Sequence, residues 1–89
     1  MSNKKELYCV HDKKSNTYDG FVLYNNAAEA VRSFQMACEK NEVFNKWPED
    51  FQLVKVLEIE YGENGFKNEV IVMAEAKDFV VKKTTENNK

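Results

Sequence analysis

Apolar positions in this chain switch from alternating to helical spacing and back again. Residues 26–40, NAAEAVRSFQMACEK, carry Ala27, Ala30, Val31, Phe34, Ala37 and Cys38 at i, i+3, i+4, i+7, i+10 and i+11. That spacing is the stripe of a helix lying on a core, with Glu29, Arg32, Ser33, Gln35 and Lys40 mostly off it. Asn26 is placed to accept a hydrogen bond from first-turn N–H groups. Glu29, three residues on, is placed to reach back as in a capping box and to face the positive end of the helix dipole.

Before the helix, residues 6–12 (ELYCVHD) put Tyr8 and Val10 on one face and Leu7, Cys9 and His11 on the other. Apolar groups on both faces predict an interior strand, or one covered on both sides. Residues 13–16 (KKSN) are a turn by composition, and residues 18–24 (YDGFVLY) resume an extended pattern with Gly20 as a bend or bulge. After the helix, Asn41 suits a left-handed C-terminal position. Residues 41–50 (NEVFNKWPED) read as a loop, because Pro48 disfavours helical geometry at Trp47 and lacks an N–H for a sheet. Val43, Phe44 and Trp47 then fold back over an edge of the core, or form a contact surface for another chain.

Residues 51–61 (FQLVKVLEIEY) are the strongest strand pattern. Phe51 and Leu53 begin one alternating face and Leu57, Ile59 and Tyr61 end it, while Lys55 interrupts it and Val54 and Val56 take the other. Either both faces are covered there or a bulge shifts the register. Gly62-Glu63-Asn64-Gly65 is a turn, residues 66–74 return as a second strand, and residues 74–81 form a short helical turn. The expectation is an α+β fold of order β-β-α-β-β, a small antiparallel β-sheet with one α-helix packed across a face. Residues 1–5 are a flexible lead-in, 6–81 a single domain and 82–89 a flexible polar tail.

Composition narrows the class. A hydrophobic share of 43% beside 31% charged residues belongs to a folded chain rather than a disordered one. A net charge of -2 weighs against a protein whose main work is to coat nucleic-acid phosphates. The first ten residues lack a signal peptide's apolar run, and nothing approaches a membrane span of about 20 apolar residues. A soluble intracellular protein without a membrane partner is expected, with Cys9 and Cys38 as small buried hydrophobes in a reducing compartment.

Catalytic and metal patterns are missing. His11 has no second ligand at zinc spacing, Gly20, Gly62 and Gly65 are too scattered for a phosphate loop, and Glu58 and Glu60 alternate with apolar residues like the solvent face of a strand. Glu49 and Asp50 bound a turn. No enzyme and no cofactor are expected. Interaction chemistry has two candidates. Val43, Phe44, Trp47, Val54 and Val56 offer apolar surface to a protein partner, or to a second copy in a homodimer. Lysine doublets at Lys4/Lys5, Lys13/Lys14 and Lys82/Lys83, with Tyr8, Tyr18, Phe21 and Tyr24, offer charge and stacking to single-stranded DNA. Within that set Lys13, Lys14, Tyr18, Lys82 and Lys83 are the candidate contacts. The plainer reading of these lysines is that they solubilise ends and turns.

Several segments taken together resemble a known family. They are Tyr8-Cys9-Val10-His11-Asp12-Lys13-Lys14, then 25–34 (NNAAEAVRSF), Pro48-Glu49-Asp50-Phe51-Gln52-Leu53, and Ala76-Lys77-Asp78-Phe79-Val80. In this order they resemble the small nonstructural protein of gokushovirus-like microviruses, the single-stranded DNA bacteriophages. The resemblance implies a non-virion protein made in the host bacterial cytoplasm, without catalytic residues, that assists phage DNA replication, single-strand synthesis or its coupling to packaging. It implies as partner a phage or host replication or packaging protein, and it carries no residue-level mechanism.

Overall fold

A computed structural model describes residues 4–60 and 65–80. In chain order the elements are β1 (Lys4–Asp12), β2 (Thr17–Tyr24), α1 (Ala27–Lys40), α2 (Glu42–Lys46), β3 (Phe51–Glu60) and β4 (Gly65–Glu75). Short 3-10 turns at Pro48–Asp50 and Ala76–Asp78 flank the second pair of strands. The strands form one antiparallel sheet in the order β2-β1-β3-β4. The α+β order β-β-α-β-β read from the pattern is thus the observed one, with β1 and β3 at the centre.

Helix α1 begins as its sequence requires. Asn26 Oδ1 accepts the Glu29 N–H at 2.9 Å. The Glu29 carboxylate reaches back to the N–H of Asn25, at 3.0 Å, instead of that of Asn26. The Asn25 backbone N–H first, and then the Asn25 side-chain amide at 3.3 Å, hold the Glu29 carboxyl below the usual carboxylate range. Ala30, Phe34 and Cys38 are buried, and the rest of the predicted stripe is half-buried around them. They meet Tyr8, Phe51 and Leu53 on the central strands and Ala76 beyond β4. Phe44 and Phe79 close the aromatic core, Phe44 lying 4.5 Å from Phe51 and 5.9 Å from Phe34 between ring centroids.

The segment after α1 differs from the expected loop. Asn41 has φ -86 and ψ 123, an extended residue and not a left-handed one. Its N–H donates to Ala37 O to finish α1, and its Oδ1 accepts the N–H groups of Val43 and Phe44 to start α2. One asparagine therefore serves both helices, and no left-handed turn is needed. Pro48 opens the following 3-10 turn at a first-turn position, where a missing N–H costs little. Packing of the half-buried Phe44 against the core holds this short helix down, a tertiary contact that local propensity does not contain.

The conflict in β3 is resolved by a bulge. Tyr8 pairs with Lys55 but Leu7 pairs with Leu57, so β3 advances two residues while β1 advances one. Alternation flips at Val56. Lys55 and Glu58 stay on the helix side, and Leu57 and Ile59 turn to the other. Gly20 takes φ +69 within a second irregularity, between β1 and β2.

Candidate interaction surface

Cross-strand partners share a face of a sheet, so the register assigns sides. The inner face carries Tyr8, Val10, Leu53 and Ala74, against the helices. Contacts of α1 with α2 and with the second 3-10 turn, and of that turn with the first, put all the helical pieces on this one side. Among the described residues nothing packs across the outer face.

That outer face is a small lattice of side chains. One row runs Cys9, Val54 and Val72, since Cys9 pairs with Val54 and Val54 with Val72, and Phe21 continues it on β2 at the irregularity between the Tyr8↔Val22 and Val10↔Asp19 pairs. The next row runs Leu23, Leu7, Leu57 and Asn68. Phe21, Leu23 and Val72 are about half exposed, whereas Cys9 and Val54 in the middle are buried. At one end the apolar rows stop at Tyr18, His11, Gln52 and Glu75. There the His11 ring stacks on Tyr18 with centroids 4.2 Å apart, and its nitrogens lie 3.1 Å from Gln52 Oε1 and 3.0 Å from Asn16 Oδ1.

The five residues named for protein contact divide between two sides. Val43 and Trp47 are exposed on and beside α2, with Lys46 Nζ 5.0 Å above the Trp47 ring centroid. Phe44 belongs to the core. Val54 lies in the middle of the outer face, and Val56 is the half-buried bulge residue. Leu7, Leu23, Leu57 and Val72 are outer-face residues in neither candidate set, and Phe21 was named for stacking on DNA, not for protein contact. For Leu7 and Leu57 a signal was already present in the two-sided apolarity of residues 7–9 and 53–57.

The DNA-contact set is also divided. Tyr18 is exposed, and Lys14 lies in the adjoining turn, its N–H bonded to Asp12 Oδ1 at 3.0 Å. Lys13 is committed elsewhere: its Nζ pairs with Glu75 at 3.4 Å and its N–H donates to Asp50 O at 2.7 Å. Lys5 Nζ donates to Asn25 Oδ1. Lys82 and Lys83 lie outside the described residues. Charge concentrates instead on the inner face beyond α1, where Lys4 and Lys55 alternate with Glu6 and Glu58.

Burial pushes the Cys38 thiol up to about 11 and raises that of Cys9 as well. No group of three or more His, Cys, Asp or Glu side chains among the described residues is placed to hold a metal ion. No helix among them is long and apolar enough to cross a membrane.

The sequence match spans this whole architecture. Residues 5–79, from the start of β1 to the turn after β4, match the family described as Phage ORF5 protein. The chain belongs to that family. It is therefore a phage protein, and the matched span covers both sheet faces and all the helical pieces. No curated protein and no solved structure matches it.

Proposed function

We propose that this Phage ORF5 protein is a non-enzymatic adaptor of a gokushovirus-like microvirus, working in the host bacterial cytoplasm. It would assist viral DNA replication, single-strand DNA synthesis or its coupling to packaging by binding a phage or host protein of that machinery. One observation carries the adaptor reading: the apolar outer face of the sheet has no cover among the described residues. An uncovered face with uncharged central rows favours an apolar protein surface over a phosphate backbone. The DNA-related role rests on the microvirus resemblance of the sequence.

Val72→Lys tests it. Val72 is half exposed on the outer face, so a lysine there adds charge to the surface at little cost to the fold. Tagged wild-type chain, cross-linked in infected cells, is expected to recover a replication or packaging protein, and the variant to lose it with an unchanged thermal midpoint. Equal recovery by the variant, or recovery of no such protein, rejects the adaptor.

Direct binding of single-stranded DNA is a second reading, favoured by the exposed Tyr18 ring beside Lys14. It has the weaker support, because Lys13 is paired with Glu75 and the net charge is -2. Fluorescence anisotropy of a labelled oligonucleotide at low and physiological salt separates the two. Binding that weakens steeply with salt and is lost on changing Lys13 and Lys14 to Glu would favour DNA.

A further inference from the structure

Strand β2 stands out from the rest of the sheet. A strand packed on one side should hide every second residue. Every residue from Thr17 to Leu23 is exposed instead. Phe21 and Leu23 are 54% and 50% exposed on the outer face, and Val22 is 44% exposed on the inner one. The reason is width. A helix about 10 Å across covers roughly two strands spaced about 4.8 Å apart. Helix α1 packs on Tyr8, Phe51 and Leu53 of the central pair, β1 and β3, and meets the end of β2 at Tyr24, whose hydroxyl donates to Ser33 Oγ at 2.9 Å; among the described residues this leaves the rest of β2 exposed on both flanks and along its outer edge.

We infer that two copies of this chain associate through β2, the strands pairing antiparallel edge to edge so that the two sheets become continuous.

The strand's own chemistry selects a second copy as occupant. Its sequence, TYDGFVLY, holds no Lys, Arg or Pro, the residues that usually blunt an open edge, and Asp19 is its one carboxylate. A pairing centred on Val22 sets Phe21 opposite the second copy's Leu23 and Asp19 opposite the second copy's Asn25. Apolar groups then meet apolar groups and no like charges face each other. A strongly charged strand from another protein would find no complementary row. The other edge, β4, is a poorer template, because its register shifts twice against β3, whereas β2 shifts once against β1, around Gly20, and is regular over Glu6↔Tyr24, Leu7↔Leu23 and Tyr8↔Val22. In that register Gly20 to Tyr24 of the two copies face each other, and five paired residues make an edge about 17 Å long, at the small end of specific interfaces. The dimer is accordingly weak, with a dissociation constant on the order of 10–100 µM.

This dimer does not depend on the adaptor reading, and two lysine substitutions keep their failures apart. Sedimentation velocity of the full chain from about 5 to about 500 µM should show a monomer passing to a dimer. Val22→Lys, on the inner flank of β2, should raise the dissociation constant at least about tenfold, with circular dichroism unchanged. Val72→Lys, on the outer face of β4, should leave it unaltered. Leu23→Lys serves as a second edge variant should Val22→Lys fail to fold. A wild-type chain that stays monomeric overturns the inference. So does assembly beyond a dimer, or loss of the dimer in Val72→Lys but not in the β2 variants, which would mean face-to-face packing.

Discussion

Glu58 shows how a single residue on a small sheet carries a pH response of the fold. Glu6 is buried, takes the Tyr8 hydroxyl at 2.7 Å, and has Lys4 at 3.7 Å and Lys55 at 3.8 Å. Glu58 lies beside it with Lys4 Nζ at 3.0 Å. The hydrogen bond from Lys4 holds the Glu58 carboxyl below its ordinary value, outweighing partial burial, which acts the other way. A carboxyl depressed by folding stabilises the fold above its unfolded value of about 4.3, and that stability is lost as pH falls through the folded value. The same bond raises Lys4, whose contribution is complete below about 10.4 and is lost as pH rises through its folded value. Urea unfolding from about pH 7 to pH 3 should therefore show a steady loss of stability in the wild-type chain and a shallower one in Glu58→Gln. Identical slopes would remove the ion cluster from the account. Tyr8→Phe strips a hydroxyl from a buried carboxylate and should cost about 1–3 kcal/mol in the same assay. The buried thiols give a third check. With Cys38 at about 11, a disulfide reagent at about pH 8 should react no faster than the chain opens, and rapid reaction of the native protein would contradict its burial.

At the level of elements, what could be read in advance is what is encoded locally. The stripe from Ala27 to Cys38 and the cap at Asn26 are properties of one contiguous window, and helix α1 follows them. Asn26→Ala should cost about 0.5–2 kcal/mol in thermal or urea unfolding, and Asn26→Ser much less, because serine restores the acceptor for the Glu29 N–H. Equal losses in both would show that the side-chain bond is unimportant. The two-sided apolarity of residues 51–57 announced a conflict without deciding it, since a bulge and a doubly covered strand write the same pattern. The partner strand decided it, through the step from Tyr8–Lys55 to Leu7–Leu57. Helix α2 was missed for a related reason. Five residues before Trp47-Pro48 lack the length to show a period, and what forms them is the Asn41 double cap and the packing of half-buried Phe44 on the core. Of the candidate contact surface, Val54 was named but its row was not, because Phe21, Cys9, Val54 and Val72 come together only once strand order is known.

Over the whole molecule, that strand order fixes which parts are firm. β1 and β3 are paired on both edges and carry Tyr8, Cys9, Leu53 and Val54, all nearly inaccessible, while β2 and β4 are paired on one edge and expose large apolar groups. Opening the outer strands therefore breaks fewer backbone bonds and uncovers less apolar surface than opening the centre. Native-state hydrogen exchange should find the slowest amides in β1 and β3, at Tyr8 to Val10 and Leu53 to Val54, and amides of β2 exchanging about 10–100 times faster in dilute solution. Pairing through β2 adds a second expectation with its own signature. As concentration rises, protection should grow along one strand only, in those β2 amides whose N–H points away from β1, while the core amides and β4 stay unchanged. Growth spread over both sheet edges would indicate open-ended association, and growth at outer-face contacts without the β2 edge would indicate face-to-face packing. If β2 proved as protected as β1 in the dilute monomer, the bare strand itself would be wrong, and with it the argument that one helix is too narrow for this sheet.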